Sequence, residues 1–286
     1  MPLRRVPLDQ LTIDDEPALA RIDLYGRLKQ VLRRSGHRYL VPASAGELSW
    51  DRALFLNLTY WEGYADPERA NATADLDAGG SGPADVLCDD HIAADEVGHA
   101  AWHHVVGREL AREAGGPAGT PSTEALFFSE SIASAFDLYL LGRLLHDAPE
   151  CDFNSTQVPL MAERAENAGL SRRAFAKLLE DIGRDPERAF EDMRALLLDV
   201  ANALMACRGP FEAQEALDRF LGHRFEPLLH HFEISNWILF ARAYGARAAG
   251  PDPVVRRVDA VLRAAPTALG WLAEHWIDAD IDVGGG

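Results

Sequence analysis

The fold is decided around residues 89–104, which read DDHIAADEVGHAAWHH and hold four of the chain's ten histidines. Polar and apolar residues here recur every three or four positions, which is helical spacing. One stripe consists of Ile92, Glu96, His99, His103, Val106 and Leu110. Because this stripe begins and ends with apolar residues, we expect it to face the core. Burying a glutamate beside histidines costs several kcal/mol unless they neutralise each other or bind a metal.

Helical patterns extend in both directions from this stretch. The patterns predict about eight helices, near residues 16–34, 45–65, 84–113, 122–146, 156–182, 186–207, 211–244 and 253–277. Ser44 and Glu47 form a capping box for the second of these, and Asp185-Pro186 supplies an N-cap and first turn. Only residues 38–41 look extended, and no stretch alternates long enough to predict a sheet. The sequence therefore predicts one all-α metal-binding domain over residues 1–286.

Carboxylates interrupt apolar faces on the two neighbouring predicted helices. Glu62 shares a face with apolar residues on the preceding helix, and Glu130 and Asp137 interrupt the stripe that contains Phe127. Glu96 and His99 have the Glu-x-x-His spacing with which helical bundles chelate metals, because residues three apart project from one face. Three consecutive helices would thus each bring a carboxylate to a common site.

A second histidine-rich segment lies late in the chain, at residues 223–233, HRFEPLLHHFE. Offsets of zero, three and seven would place His223, Glu226 and His230 on one face of a continuous helix. Pro227 opposes this arrangement because it removes a backbone donor and kinks or restarts a helix. If the helix restarts there, His230 and Glu233 share a face instead, and His231 falls on the adjacent apolar one.

These motifs resemble the ferritin-like di-iron carboxylate proteins. Glu62, the Glu96–His99 pair and Glu130 match the first three ligand elements of that family in order, but no second Glu-x-x-His follows. The late segment is similar to the histidine-enriched last helix of the p-aminobenzoate N-oxygenase family, with different spacing. The resemblance implies a ferritin-like bundle with additional helices that binds two iron ions. The implied ligands are Glu62, Glu96, His99, Glu130, His223, Glu226 and His230.

The implied activity is O₂-dependent oxidation of a small organic substrate, by N-oxygenation, hydroxylation or desaturation, in secondary metabolism. A monooxygenase would also need an electron donor. Mixed carboxylate and imidazole ligands favour iron, with manganese or zinc as alternatives. The groups expected to orient ligands, or to replace them, are His91, Asp95, His103, Asp137, His231 and Glu233. The residues expected to line a substrate pocket are Trp102, Phe127, Phe128 and Trp237.

Two other enzyme classes remain open. A zinc hydrolase could use His99, His103 and Glu130, although the His-Glu-x-x-His order typical of zinc peptidases is absent. An isoprenoid cyclase could hold Mg²⁺ through Asp89, Asp90 and Asp95, although no second magnesium motif of that class is found. A storage protein of the ferritin type would need fewer helices.

Composition limits the partners and the location that we expect. With 28 basic and 45 acidic side chains the formal net charge is −17, which argues against nucleic acid. The chain has three cysteines, which fits a reducing compartment. The N-terminus lacks the apolar core of a signal peptide, and no long apolar run predicts a membrane span. We therefore expect a cytoplasmic protein whose partners are its substrate and O₂, and we leave a homodimer open.

Overall fold

The computed structural model describes residues 3–44, 46, 48–53, 56–57, 84–115, 121–244 and 251–278. Helix accounts for 70% of these residues, which confirms the all-α class. The helices are α1 (Glu16–Leu19), α2 (Asp23–Arg34), α3 (described at residues 50–53 and 56–57), α4 (Ala94–Glu113), α5 (Thr123–Asp147), α6 (Asp152–Asn167), α7 (Arg172–Arg184), α8 (Pro186–Ala206), α9 (Pro210–Asp218), α10 (Ile234–Tyr244), α11 (Pro253–Ala264) and α12 (Ala268–Leu272). A π-helical turn, Ala273–Asp278, continues α12.

The described residues form twelve helices rather than about eight, because four of the predicted helices are each divided in two. The break between α6 and α7 shows the physical reason. Gly169 has a φ of +88°, which ends α6 in a left-handed turn, and Ser171 then caps α7 through the amide of Ala174. Asp185 caps α8 by accepting a hydrogen bond from the amide of Arg188, as predicted.

Five short strands make two small sheets, which corrects the expectation that no sheet forms. They are β1 (Leu3–Val6), β2 (Thr12–Ile13), β3 (Arg38–Pro42), β4 (Ala84–Val86) and β5 (His91–Ile92). The first sheet has the order β1-β3-β4, with β3 antiparallel to β1 and parallel to β4, and β2 pairs with β5 in parallel. The strand predicted near residues 38–41 is therefore the centre of a sheet. Strands of two to five residues are too short to show a clear alternation of polar and apolar residues.

Helix α5 is the centre of the core. It packs against α4 on one side and against α8 and α7 on others, and most of its residues are buried. Among the described residues it is also the one helix that is long and apolar enough to cross a membrane by length and composition. Since 83% of its most apolar stretch is buried by the rest of the chain, the same apolar character is explained by its place in the core.

Helices α4 and α5 approach closely at Gly98. A Cβ atom at this position would lie 2.9 Å from Cε1 of Phe136, closer than atoms of two side chains can pack. Phe136 is itself buried between Trp102 and Tyr139, so the ring has little room to move. The glycine therefore permits the helix contact that sets His99, the next residue, against α5.

Candidate metal centre

Helix α4 positions the first histidine-rich segment, but it begins later than predicted. The helix starts at Ala94, so His91 and Ile92 belong to β5 instead. His91 is exposed, and its Nδ1 lies 3.1 Å from Asp14 Oδ1. Hydrogen bonding to Asp14 raises the pKa of His91. His91 is therefore part of a surface pair between the two strands.

The buried face of α4 is rotated from the predicted stripe. Val97, Ala101 and Val105 form the face that is fully buried, and Glu96 is exposed. Helix α4 packs against the core through this apolar face. His99 and His103 lie at the edge of that face and are therefore only partly buried. The prediction that Glu96 faces the core is wrong.

The two edge histidines converge on one carboxylate of the next helix. His99 Nε2 lies 3.3 Å from Glu130 Oε2, and His103 Nε2 lies 3.6 Å from Glu130 Oε1. One potential ligand atom from each of the three residues lies within 4.8 Å of the other two. Residues four apart on α4 therefore meet a single acidic group on α5, as the i, i+4 geometry of a helix allows.

Each histidine has a second partner at its other ring nitrogen. His99 Nδ1 lies 3.6 Å from Asp137 Oδ2, two helical turns after Glu130. His103 Nδ1 lies 2.8 Å from the Ser129 hydroxyl oxygen. Metal-binding histidines usually have such a partner, because it fixes the ring and leaves the other nitrogen free for the ion.

The charges of His99, His103 and Glu130 shift one another's pKa values. Although desolvation opposes charge on His99, Asp137 and Glu130 raise its pKa well above the ordinary value. Desolvation also disfavours charge on Glu130, yet His103 and His99 lower its pKa to about 2. Desolvation lowers the pKa of His103. These pKa shifts favour a protonated His99 ring paired with the Glu130 carboxylate.

The residues present fit a small divalent cation. With metal–ligand bonds of about 2.0–2.1 Å, neighbouring ligand atoms of a tetrahedral site lie about 3.3–3.4 Å apart. The histidine nitrogens lie 3.3 Å and 3.6 Å from different oxygens of Glu130, and one ligand atom from each residue lies within 4.8 Å of the other two, so the side chains would close in around an ion. Two histidines and one carboxylate are a donor set used for zinc and for mononuclear iron. The three side chains are between 32% and 36% exposed, so a further position is accessible to solvent.

Further carboxylates surround this group. Desolvation and the nearby charge of Asp95 and Asp85 raise the pKa of Glu96 to about 7, while its side chain stays open to solvent. Desolvation raises the pKa of Asp137 to about 7 despite the hydrogen bond to His99. Desolvation raises the pKa of Asp95 as well. The candidate metal centre, which we define as His99, His103 and Glu130, therefore lies in acidic surroundings.

The late histidine-rich segment forms turns rather than one helical face. Helix α9 ends at Asp218, a short 3₁₀ helix covers Glu226–Leu228, and α10 begins only at Ile234. His223, Glu226 and His230 are therefore not aligned, which corrects the predicted arrangement. Gly222, with a φ of +87°, and Pro227 account for the breaks.

The histidines of this segment lie in separate surroundings. His223 Nδ1 accepts a hydrogen bond from the amide of Phe225, and His230 is exposed whereas His231 is partly buried, the reverse of the expected order. Glu233 is exposed and accepts a hydrogen bond from Asn236. Among the residues that the structure describes, none of this segment joins a group of three potential ligands. Glu62, and Glu47 of the predicted capping box, lie outside the described residues.

The aromatic residues predicted to line a pocket are mostly core residues. Trp102, Phe127 and Phe128 are at most 1% exposed, and Trp102 meets Phe136 edge-on. Phe128 packs against Trp276. Trp237 is partly buried against the core from α10. Their burial is explained by packing, and a role in binding substrate stays a prediction.

Asp89 and Asp90 lie in a bend before β5, not on the predicted helix. Asp89 accepts a hydrogen bond from the amide of His91. Only Asp95 of this acidic set is on α4. The three do not form a continuous helical face of the kind assumed for a magnesium-binding cyclase.

The structure adds groups that the sequence did not single out. Ser129 precedes Glu130 and holds His103, but a serine on a helix carries no signal of that role. His104, on another side of α4, lies 3.0 Å from Nδ1 of the buried His37. His37 Nε2 in turn lies 3.0 Å from Asp85 Oδ2. This contact between α4 and the first sheet joins residues 67 positions apart, beyond the reach of local periodicity.

Comparisons of the chain with protein-family models, with curated proteins and with solved structures give no match. Conclusions about its function therefore depend on the geometry and chemistry of the candidate metal centre.

Proposed function

We propose that this protein is a metal-dependent hydrolase whose zinc ion is held by His99, His103 and Glu130. The observation that carries the proposal is the convergence of both histidine Nε2 atoms on the two oxygens of Glu130, at 3.3 Å and 3.6 Å. Of the sites weighed from the sequence, this set alone has all its members together among the described residues.

The surrounding residues favour a prepared ligand set. Asp137 Oδ2 lies on the Nδ1 side of the His99 ring, so the Nε2 side faces Glu130 and would bind the ion. The Ser129 hydroxyl lies on the Nδ1 side of His103 in the same way, and if it accepts the Nδ1–H hydrogen bond, Nε2 is left as the ligand atom. Binding of a cation displaces the proton that His99 holds in the metal-free protein, so affinity should fall at acidic pH. A zinc ion with three protein ligands supplies a Lewis acid that polarises water or a carbonyl group.

Glu96 is suited to move the proton of the attacking water. It lies one helical turn before His99, it is open to solvent, and its pKa is raised to about 7. A general base works best when its pKa is near the working pH, because it is then both available and basic enough. Glu96 thus has a role as a base in this proposal rather than as a ligand.

A second candidate is the di-iron oxygenase of a ferritin-like bundle. The observation that favours it is the presence of three additional carboxylates, Asp95, Glu96 and Asp137, which interact electrostatically with His99. A second ion would need such oxygen ligands, together with those that Glu62 was expected to supply. Helices α4 and α5 would then be two members of the bundle, and Glu130 would be among the ligands.

Metal content distinguishes the two candidates. The protein is purified without chelator, and metal per chain is measured by mass spectrometry after dialysis against zinc or, without oxygen, against Fe²⁺. One tightly bound zinc per chain and hydrolysis of p-nitrophenyl acetate above the rate of Glu130→Gln would support the hydrolase. Two irons per chain, with a transient visible absorption on adding O₂, would favour the oxygenase. A chain that binds neither ion would overturn both, and the cluster would then be a proton-bridged ion network.

A further inference from the structure

One oxygen of Asp137 is buried without a hydrogen-bond partner. Its Oδ2 faces His99 Nδ1 at 3.6 Å, whereas Oδ1 is shielded from solvent and has no partner among the described residues. Buried carboxylate oxygens are rarely left in this state, because losing water without a replacement bond is costly. A group from outside the chain should therefore contact Oδ1.

A small cavity lies beside the same residue. Its volume is about 10 Å³, and it is lined by Asp137, Gln157 and His231 together with apolar side chains that include Met161. This volume is close to the minimum that admits one water molecule. Three of the lining residues carry polar side chains, and a buried water needs two to four such partners. The cavity meets both requirements, whereas an empty cavity is normally lined by apolar groups alone.

We propose that one ordered water molecule occupies this cavity and bridges Asp137 to Gln157 and His231. Through this water, Gln157 and His231 fix the position of Asp137, and Asp137 in turn contacts the ring of His99. Gln157 and His231 are therefore positioning residues for the candidate metal centre. This role rests on the proposed function. It also gives the late histidine-rich segment a place at the site through His231, without that histidine binding the ion.

The hydrogen-bonding capacities of the three side chains match a water molecule. The water donates one hydrogen bond to Asp137 Oδ1, and its remaining donor and two acceptor positions are available to the amide of Gln157 and the ring of His231. Burial lowers the pKa of His231, which favours a neutral ring that has one donor and one acceptor nitrogen. The bridge joins α5, α6 and the turn before α10, three elements that are distant in sequence.

The test has two independent measurements. A high-resolution crystal structure should show density for a single water within hydrogen-bond distance of Asp137 Oδ1. Titration with Co²⁺, a spectroscopic probe for zinc sites, should show affinity reduced by about tenfold in Gln157→Leu and His231→Phe, the lower end of losses seen when groups behind a ligand are removed. Met161→Leu is the matched control, since it alters the apolar wall of the same cavity and keeps every polar partner.

Each outcome is decisive for one of the two claims. An empty cavity, or Asp137 Oδ1 bonded to a protein group, would overturn the bridging water. Density for water with unchanged Co²⁺ affinity in both variants would overturn the positioning role. If the wild-type protein binds no Co²⁺ at all, the proposed metal site fails, and the density still decides whether the water is there.

Discussion

The chain contains two histidine-rich segments with similar composition and different outcomes. In residues 89–104 two histidines meet a carboxylate on a neighbouring helix. In residues 223–233 three histidines point into separate surroundings. Helical offsets predicted a ligand face in both segments. The difference shows that such offsets place side chains together only where the helix is unbroken and the next element supplies a partner.

Backbone continuity separates the two segments. Helix α4 runs without a break from Ala94 to Glu113, and Gly98 lets it approach α5. The second segment is interrupted by Gly222 and Pro227, and Glu233 adopts a φ of +50°, unusual for a residue other than glycine. The residues from His223 to His231 therefore do not form one continuous helix.

The largest expected effect is the loss of metal binding when a residue of the candidate metal centre is changed. We expect His99→Ala, His103→Ala and Glu130→Gln each to lower zinc affinity at least about 100-fold, more than the loss caused by removing groups that only orient ligands. The physical reason is that a three-ligand site cannot fall to two ligands without losing much of its binding free energy. Competition of each variant with a chromogenic chelator measures the affinity.

The controls come from the second segment and from the edge of α4. His230→Ala should bind zinc as the wild type does, because His230 is exposed and apart from the cluster. Glu96→Gln should also retain the ion while losing hydrolytic activity. Equal loss of metal in Glu96→Gln and His99→Ala would instead place Glu96 among the ligands, as the di-iron alternative requires.

Local pattern predicted much of the helical fold, because helix formation depends on neighbours three and four positions apart. The N-cap at Asp185 and the inward role of Glu130 follow from such spacing. Four predicted helices are divided by turns such as the one at Gly169, which has a left-handed backbone conformation. The spacing of polar and apolar residues does not reveal such turns. Boundaries were consequently less predictable than the presence of helices.

The candidate site was predictable in part for the same reason. The sequence could predict that His99, His103 and Glu130 lie close together because α4 and α5 are consecutive helices. Glu96 was expected to be buried, but it is exposed beside the face of α4 that packs, which includes Val97, Ala101 and Trp102. The contact of His104 with His37 and the cavity beside Asp137 depend on tertiary packing between distant segments, which spacing along one helix cannot show.

A smaller effect is expected from changing the glycine that lets α4 approach α5. In Gly98→Ala the new Cβ would lie 2.9 Å from the buried ring of Phe136. We expect overpacking of about 1–3 kcal/mol to exceed the gain of about 1 kcal/mol in helix propensity. Zinc affinity should fall as well, because His99 moves away from Glu130 with the helix. Denaturant unfolding of the metal-free protein measures the first effect.

The matched control for this change is on the same helix. Gly107 is exposed, and a Cβ there would meet nothing within 4 Å, so Gly107→Ala should stabilise the protein by about 0.5–1 kcal/mol. If both variants gain stability alike, close approach at Gly98 is not what sets the distance between α4 and α5.

The smallest expected effect is a difference in protonation between the two segments in the metal-free protein. Asp137 and Glu130 raise the pKa of His99 above its ordinary 6.5 despite desolvation, whereas burial lowers the pKa of His231. Imidazole NMR over a pH series should therefore show His99 still protonated at a pH where His231 is already neutral. If His231 instead stayed protonated to a higher pH than His99, the proposed pairing of a protonated His99 with Glu130 and Asp137 would be wrong.

The two histidines should also affect stability in opposite directions as the pH changes. For His99 the folded pKa is above the unfolded one, so its contribution is complete below pH 6.5 and is lost as the pH rises through the folded value. For His231 the folded pKa is below the unfolded one, so stability falls as the pH drops below 6.5. His231→Gln should remove part of that acid-side loss, because glutamine does not take up a proton in this pH range. His99→Gln should instead reduce the loss of stability on the alkaline side. Measuring the unfolding free energy of both variants across the same pH range therefore tests whether His99 is stabilised in its charged form and His231 in its neutral form.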